Sequence, residues 1–582
     1  MTLILDKRFP RTLDALLLRF CRDEARGTEL QAWTFDDAPA RRAAEARLAG
    51  FGIRARLRSA YKPLLHAFLE EVDRDGLASV RVRYPVHPAA VAPNRFRLET
   101  YPLAALVADA EIAFEPVATA VLSYHVDLAW KDGRRRELDV FAPNRLHADA
   151  VDEPVLSPTG WLRVGAGAPE DGDRLETDFE AVFAAAVEAV GAQGWHGNGP
   201  FFGELSLSAT LPFAEQRLPV GEETLSLLEA LHEDLYFTLL EVFGAEAGLE
   251  RGARGMRPGQ IVPDIRHAPG DSHLRIETRP LSVEELEGWD GAVEEAQAPL
   301  SAAAVHRALE AIGGEAFEAR SLAGRPVSAR HRRGRDRGMM ISGGQHANEP
   351  SGIVGALRAG ALLAGRSEAH FTLSPLENPD GQALHLRLCR SNPSHMHHAA
   401  RYTALGDDLE YRPDDDPGER AVRVEAMRRT KALLHVNLHG YPAHEWTRPL
   451  SGYVPHGFAL WTLPKGFFLI LRYHVGWEGR ARDLVERVTR RLARVPNLLS
   501  FTERQLSLYR AQSGEPGFEA VNGFPCLFTV DERQAVPLTL ITEYPDETIQ
   551  GEPFQAAHRA QMETVLAAYD ALQEMAGLDC TL

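Results

Sequence analysis

Residues 341–352 read ISGGQHANEPSG and place an imidazole and a carboxylate three residues apart, at His346 and Glu349. With 22 histidines and 82 acidic residues in 582, about three such pairs are expected by chance, and a surface ion pair is the ordinary alternative. Here, however, an apolar run and two glycines precede the pair, and Pro350 opens an Ala- and Gly-rich segment. This pattern predicts a strand that turns sharply into a helix, so that both side chains can converge on one cation.

A catalytic zinc ion usually takes three protein ligands and keeps one position for water, so a third ligand is needed. The segment LLHVNLHG (433–440) is typical of a buried strand and ends at His439. His435 lies on the same strand face but deeper, and we interpret it as structural. His439, at the edge where a cleft would open, is therefore the candidate for a third ligand beside His346 and Glu349.

A zinc-bound water also needs a base, and LTLITEYPDET (538–548) supplies a carboxylate where a predicted strand ends. Glu543 at that position could take a proton from water and pass it to a leaving nitrogen. The alternative is a strand-end acid neutralised by an arginine, and Glu547 is a second candidate for the base.

Short apolar runs alternate with longer helical patterns in the C-terminal half. The predicted strands are GMMIS (338–342), FTLSPL (371–376), LLHVNL (433–438) and LTLITE (538–543), and the predicted helices are GIVGALRAGALLAG (352–365), 479–495 and 554–575. This order indicates an α/β fold with a mostly parallel mixed sheet flanked by helices. Ligands of such sheets bind beyond the carboxyl ends of the strands, where His346, His439 and Glu543 all fall.

The chain is too long for one hydrophobic core, which predicts more than one domain. An acidic, Ala-rich stretch at 283–302 marks the main boundary, between an N-terminal region (1–290) and a C-terminal domain (300–582). A further division near residue 155 is left open. The N-terminal region is expected to be α+β, with strands at 119–130 and 201–211, helices at 178–194 and 223–244, and a loop at 156–173.

The composition excludes several classes of protein. The formal charge of −18 opposes general binding to nucleic acid or to an anionic membrane. No apolar run of about 18 residues predicts a membrane span, and the N-terminus does not have the pattern of a signal peptide. We therefore expect a cytoplasmic protein that binds a peptide or a small amide substrate, and neither nucleic acid nor a membrane; no feature predicts its oligomeric state.

Residues 300–582 resemble the zinc metallocarboxypeptidases of the M14 type, with the carboxypeptidase A-like fold. Six segments carry the resemblance, and they occur in the same order as in that family: LAGRPVSAR, GGQHANEPSG, ENPDG, NLHG, LYRAQSGEPGF and TLITEYPDET. The resemblance implies a zinc metallopeptidase that hydrolyses peptide amides at the C-terminal end. It also implies that His346, Glu349 and His439 bind zinc and that Glu543 is the general base.

Further residues follow from the resemblance alone. An arginine after the ENPDG turn should stabilise the developing oxyanion; Arg390 is the first choice and Arg387 the second. Tyr509, in LYRAQSGEPGF, corresponds to the mobile tyrosine that contacts substrate.

The segment GDDLEYR (406–412) departs from the family pattern. Relatives that remove C-terminal residues hold the free carboxylate with an Asn-Arg pair, but Glu410 and Tyr411 occupy those positions here. Either Arg412, one place later, binds the carboxylate, or recognition of the terminus has changed.

The segment NPSHMHHAARY (392–402) adds three histidines. A second metal site would need matching acids at ligand spacing, which this stretch lacks. A polar loop that lines the cleft is the favoured interpretation.

Three functions remain open. The first is a zinc metallopeptidase acting on peptides. The second is a zinc-dependent deacylase of N-acyl amino acids, related to aspartoacylase and succinylglutamate desuccinylase, because HANEPSG is close to the His-Gly-Asn-Glu-Pro stretch of that group. The third is a binding module that keeps the fold without catalysis.

Overall fold

The computed structural model describes residues 1–119, 121–197, 199–250, 256–412 and 416–575. The N-terminal strands are β1 Thr2–Phe9, β2 Glu29–Thr34, β3 Arg54–Ser59, β4 Leu77–Val86, β5 Glu111–Ala118, β6 Ser123–Trp130, β7 Arg135–Phe141, β8 Asn144–Ala148, β9 Pro154–Pro158, β10 Trp161–Val164, β11 Asp173–Arg174, β12 Glu204–Leu211, β13 Gln216–Arg217, β14 Thr224–Leu225, β15 Gln260–His267 and β16 Ser272–Arg279. The N-terminal helices are α1 Thr12–Phe20, α2 Ala38–Gly50, α3 Pro63–Glu70, α4 Arg95–Glu99, α5 Leu103–Leu106, α6 Asp178–Gly191 and α7 Leu227–Glu246.

The C-terminal half contains longer alternations of strand and helix. Its strands are β17 Glu315–Arg320, β18 Pro326–Arg332, β19 Met339–Gly343, β20 Phe371–Ser374, β21 Leu434–Tyr441, β22 Phe468–Tyr473, β23 Glu519–Val521, β24 Phe524–Val530 and β25 Leu538–Pro545. Its helices are α8 Ala302–Ile312, α9 Pro350–Ala364, α10 Pro379–Cys389, α11 Ala421–Thr430, α12 Glu478–Leu492, α13 Leu498–Ser513 and α14 Glu552–Glu574.

The C-terminal strands form one mixed sheet of nine strands in the order β17-β18-β20-β19-β21-β25-β22-β24-β23. The neighbours β20, β19, β21 and β25 are parallel at its centre. Towards the edges, β17 pairs antiparallel with β18, and β23 with β24. The sheet is thus less parallel than the sequence predicts: two edge pairs are hairpins, and β18 and β22 also run antiparallel to β20 and β25.

The N-terminal region is built from several small sheets and helices. The main sheets have the orders β1-β16-β12-β15, β11-β10-β2-β3 and β5-β4-β6-β7. The strand predicted at 119–130 is present as β6, which pairs antiparallel with β7 across a turn at residues 131–134. The loop predicted at 156–173 is wrong in part: β10 lies there because Trp161 pairs with Trp33 of the distant strand β2.

Helix α9 follows Glu349 and packs closely against the sheet. A Cβ atom at Gly352 would lie 2.8 Å from the carbonyl oxygen of Leu438, and one at Gly355 would lie 2.4 Å from Cβ of Gln561. Only glycine allows both approaches, because it has no side chain. The glycines therefore hold the start of α9 against β21 on one side and α14 on the other.

Hydrophobic packing is continuous between the two predicted regions. One buried cluster fills the space around the nine-stranded sheet and its helices. A second cluster joins α6, α7 and β12 to residues of the C-terminal half, including Ala399, Tyr453 and Tyr509. The division at 283–302 stays a prediction. None of the described helices is both long enough and apolar enough to span a bilayer.

Candidate metal centre

Two parallel strands and one turn bring together His346, Glu349 and His439. Strands β19 and β21 are neighbours, with Gly343 opposite Leu438, so their carboxyl ends meet at one edge of the sheet. Gly344 then turns the chain with a φ of +59°, a conformation that favours glycine, and places His346 beside His439. Glu349 occupies the N-cap position of α9, whose first residue is Pro350.

The side chains of these three residues, the triad, converge through atoms that can bind a metal. His439 Nδ1 lies 3.0 Å from His346 Nδ1 and 2.9 Å from Glu349 Oε2, and His346 Nδ1 lies 2.9 Å from Glu349 Oε1. All three residues are buried, at 4%, 1% and 5% exposure in chain order. A cation would satisfy two imidazole lone pairs and a carboxylate that point at one another, so the residues present fit a divalent metal.

Asp408 lies where it can accept a hydrogen bond from the imidazole of His346, and the amide of Gln345 lies beside the same ring nitrogen without accepting from it. The Nε2 atom of His346 lies 3.4 Å from Asp408 Oδ2 and 3.2 Å from the amide nitrogen of Gln345. That amide donates to Asp408 Oδ1 at 2.9 Å. A carboxylate on the outer nitrogen of a histidine holds its proton there and leaves the inner nitrogen free for a metal. Asp408 lies within the segment GDDLEYR, but nothing in the local pattern of that segment identifies it as a partner of His346.

The buried charges shift the proton affinities of the triad. Burial opposes ionisation of Glu349, but the charges of His346, Arg401 and His439 outweigh it and hold the pKa of that carboxyl well below its usual value. Burial lowers the pKa of His439. Burial also acts to lower the pKa of His346, but Glu349 and Asp408 raise it overall. Glu349 is thus kept as a carboxylate, the form in which it can bind a metal.

Arg401 is the arginine that reaches the triad. Its Nη1 lies 2.5 Å from Glu349 Oε1, and about a quarter of its side chain (26%) remains exposed. It can therefore hold the carboxylate in place and still present N–H groups to a bound molecule. The segment NPSHMHHAARY contains Arg401, but nothing in its local pattern distinguishes this arginine from its neighbours.

Glu543 lies beside the triad on the next strand. Strands β21 and β25 are parallel, and His439 is the direct partner of Glu543, so both side chains leave the same face of the sheet. Glu543 is partly exposed. Burial of the carboxyl group of Glu543 and the negative charge of Glu349 raise the pKa of Glu543 well above the usual value. The positive charges of Arg401 and Lys465 act in the opposite direction but are outweighed. A carboxyl with a raised pKa takes up a proton more readily than an ordinary glutamate, which suits a group that would accept one from water.

Glu547, the second candidate for the general base, is buried, and its carboxylate already accepts a hydrogen bond. Asn348 donates to its Oε2 at 2.7 Å. Its pKa is also raised, by burial and by the charge of Glu349. The hydrogen bond ties Glu547 to the turn between His346 and Glu349, whereas Glu543 has part of its side chain open to solvent.

No protein-family model and no curated protein sequence matches the chain. Among solved structures, a metallo-carboxypeptidase from Burkholderia cenocepacia is 15% identical over 52% of this chain and 75% of that chain, with a TM-score of 0.29. Thrombin activatable fibrinolysis inhibitor is 10% identical over 52% and 88%, with a TM-score of 0.30. A succinylglutamate desuccinylase from a Silicibacter species is 12% identical over 52% and 72%, with a TM-score of 0.25. Proteins named as a carboxypeptidase and as a desuccinylase are thus both among the matches.

The structure does not bring the three arginines chosen from the sequence to the triad. Arg390 is half exposed and lies 3.7 Å from Glu284 Oε1, and Arg387 donates to Glu204 at 2.8 Å. Arg412 is buried and bonded to Asp407 and Glu419. Each of these guanidinium groups has an acidic partner of its own, so their substrate and oxyanion roles stay predictions without a supporting contact.

The segment around Tyr509 is helical rather than a loop. Residues 498–513 form α13, whose buried face includes Leu498, Thr502, Leu506 and Tyr509. This spacing is helical, so Tyr509 packs on a helix face, and its role as the tyrosine that contacts substrate stays a prediction. Tyr509 is buried, and burial raises the pKa of its hydroxyl to about 12. Its ring faces the ammonium group of Lys465, 5.8 Å from the ring centre.

The residues that replace the Asn-Arg pair are also tied to other groups. Glu410 accepts hydrogen bonds from Arg472 at 2.5 Å and from Arg423 at 3.2 Å. The guanidinium of Arg533 lies over the ring of Tyr411, 5.1 Å from its centre. Residues 410–412 therefore offer no forked cation directed at the triad.

The histidines of segment 392–402 connect the triad to the N-terminal region. His395 Nε2 lies 2.5 Å from Glu215, and His398 Nδ1 lies 2.5 Å from Glu233 of α7. His397 Nε2 lies 3.0 Å from the backbone oxygen of Asn392. All three histidines are buried, so they fix the segment to the N-terminal region and do not line an open cleft. The same segment ends with Arg401, so the N-terminal region helps to position that guanidinium.

His435, interpreted from the sequence as structural, lies deeper on β21. Its Nε2 is 2.7 Å from the hydroxyl of Ser342, which in turn donates to Asn437 at 2.8 Å. Burial lowers its pKa well below the usual value, so the ring stays neutral. It supports the strand below the triad.

Proposed function

We propose that the chain is a zinc-dependent hydrolase of amide bonds and that its substrates are peptides cut at the C-terminal end. The observation that carries the proposal is the convergence of His346, Glu349 and His439, whose ligand atoms all lie within 4.8 Å of one another, with Glu543 paired in register to His439. Two imidazoles and one carboxylate favour zinc over magnesium or calcium, which prefer oxygen ligands.

The residues divide the work of hydrolysis among them. Bound zinc would supply a Lewis acid and lower the pKa of water in the open coordination position. Glu543 takes the proton of the attacking water and delivers it to the leaving nitrogen. Arg401 holds Glu349 and offers its exposed N–H groups to the oxyanion that develops on the cleaved carbonyl.

Hydrolysis of N-acyl amino acids is the second candidate. It needs the same zinc site and the same base, because the bond that breaks is again an amide. One observation weakens the first candidate: Glu410 and Arg412 are engaged in internal ion pairs, so the contact by which metallocarboxypeptidases hold a peptide terminus is missing here.

The test combines metal analysis with a substrate panel. We expect about one zinc per purified chain, and cleavage of C-terminal residues in a peptide library read by mass spectrometry, with N-acyl amino acids assayed in parallel. Glu543→Gln should keep the metal and lose hydrolysis, whereas Glu503→Gln, at an exposed position on α13, should keep both. Full activity of Glu543→Gln would remove the assigned base. Metal without turnover of any amide would favour the binding module.

A further inference from the structure

Lys465 is a buried ammonium group enclosed by aromatic rings. Its Nζ lies 5.1 Å from the ring centre of Tyr441, 4.9 Å from that of Trp461, 5.4 Å from that of Phe468 and 5.8 Å from that of Tyr509. The residue has 0% exposure. Within the part of the chain that the structure describes, this nitrogen has no hydrogen-bond partner.

A buried ammonium group without a hydrogen-bond acceptor destabilises the folded protein. Burial of an amino group without an acceptor costs several kcal/mol in its charged form. Each ring attracts the ammonium group through its negative face, but the rings do not accept hydrogen bonds from its three N–H groups as oxygen atoms would. Burial accordingly lowers the pKa of Lys465 to about 7, against the opposing charge of Glu543. The aromatic rings therefore stabilise the positive charge of Lys465, but its N–H groups have no hydrogen-bond acceptor among the described residues.

Lys465 lies next to the proposed base. Phe468, three residues later, is the direct antiparallel partner of Glu543. Tyr441, another wall of the enclosure, follows His439 by two residues on β21. Lys465 and Glu543 attract one another, yet among the described residues they form no ion pair. The ammonium and the carboxylate therefore stand apart, with Tyr441 and Trp461, both partly exposed, at the rim of the enclosure.

The other cations around the site already have acidic partners. Arg401 is bonded to Glu349, and Arg423 donates to Glu377. Arg412 and Arg472 are likewise paired with carboxylates. Lys465 differs from these arginines in that no carboxylate of the described chain lies within ion-pair distance of its nitrogen.

We propose that Lys465 binds the α-carboxylate of the amino acid that the enzyme releases, in place of the arginine that residues 410–412 do not supply. The proposal rests on the proposed function, because it places the cleaved amide between the metal centre and Lys465. Both candidate substrates share this chemistry: a peptide with a free C-terminus and an N-acyl amino acid each carry a carboxylate one carbon from the amide nitrogen. Because the amine is fully covered in this structure, the carboxylate reaches it only when the partly exposed ring of Trp461 moves aside, and the remaining rings form the apolar wall beside it.

The test measures binding without turnover, in the zinc-loaded Glu543→Gln protein. The probes are a peptide with a free C-terminus, the same peptide as its C-terminal amide, an N-acetyl amino acid and its amide, each titrated by calorimetry. We expect the free acids to bind about 100-fold more tightly than the amides, the size expected of a water-shielded ion pair. The peptide and N-acetyl arms show which source of the carboxylate is preferred.

Adding Lys465→Met should reduce that preference to about one, and Lys465→Arg should restore part of it. Lys131→Met, which removes an exposed lysine, should leave it unchanged. Equal affinity for acids and amides, or a preference that survives Lys465→Met, would overturn the proposal even if the enzyme hydrolyses amides. A Lys465-dependent preference in a protein that cleaves no amide would support this subsite and refute the proposed hydrolysis.

Discussion

His439 and Glu543 are direct partners on neighbouring parallel strands, so an imidazole and a carboxylate project from one face at the carboxyl ends of β21 and β25. This pairing places the proposed metal ligand and the proposed general base next to each other without any contribution from a loop. Because the strands are buried and hydrogen-bonded along their length, the relative position of the two groups is fixed before any substrate binds.

The first prediction separates the two glutamates of the segment 543–547. Glu543→Gln should lower kcat by a factor of about 100 to 10,000, the usual contribution of a general base, with the zinc content unchanged. Glu547→Gln should stay within about tenfold of the original enzyme, because an amide can still accept the hydrogen bond from Asn348. Steady-state kinetics and metal analysis of both variants provide the check. A larger loss in Glu547→Gln would exchange their roles.

The second prediction concerns metal affinity. Asp408→Asn should weaken zinc binding about 10- to 100-fold, because the carboxylate no longer holds the proton on Nε2 of His346. Competition with a chelator of known affinity measures the effect. Asp416→Asn is the matched control, since Asp416 pairs with Arg257 on the surface. Equal affinity in Asp408→Asn and the control would show that the contact does not orient the ligand.

The third prediction distinguishes Arg401 from the arginine that the sequence favoured. Arg401→Ala should lower kcat/KM about 100-fold, as expected when a donor to an oxyanion is removed. Arg390→Ala should change it less than about twofold, because its guanidinium group is half exposed and lies near Glu284 on the surface. Measuring kcat/KM of both variants on one peptide substrate shows which arginine contributes to catalysis. The reverse order of effects would restore Arg390 as the oxyanion residue.

The fourth prediction concerns the docking of the N-terminal region at alkaline pH. His444 Nε2 lies 2.8 Å from both carboxylate oxygens of Glu229 on α7, and the pair is buried. Burial would lower the pKa of His444, but Glu229 outweighs it and raises the value from 6.5 to about 9. The charged pair therefore stabilises the fold fully below pH 6.5, and this contribution is lost as the pH rises through about 9.

The shift corresponds to roughly 3 kcal/mol of unfolding free energy at the lower pH. Denaturant unfolding of the original protein and of His444→Gln, between pH 6 and 9.5, measures it. The difference between the two proteins should shrink as the pH rises. A difference that is the same at every pH would show that the pair is not ionised in the folded state.

The fifth prediction links the proposed subsite to stability. Lys465→Met should raise the unfolding free energy at pH 7 by about 2–4 kcal/mol, because it removes an unpaired buried amine. The folded-state pKa of about 7 lies below the unfolded value of 10.5, so the original protein itself becomes more stable as the pH rises between these values. The advantage of Lys465→Met should therefore decline towards pH 10.5. A variant that is less stable at pH 7 would indicate a structural role for the amine.

The local sequence pattern was sufficient to predict the strands around the triad. The run GMMIS predicted a strand, and β19 occupies Met339–Gly343; LTLITE predicted another, and β25 occupies Leu538–Pro545. Short buried strands between helices produce such apolar runs regardless of the rest of the chain. His346 and Glu349 lie on one turn, so their proximity is also a local property.

Only the tertiary structure shows which long, charged side chains lie near the triad. Arg401 reaches Glu349 because segment 392–402 is held by Glu215 and Glu233, more than 160 residues earlier in the chain. Lys465 lies in an enclosure whose walls come from three elements and a loop between residues 441 and 509. Periodicity in the sequence reports which residues are buried within their own element. It does not report which distant charges meet, because ion pairs depend on distances in the folded chain that no local pattern records.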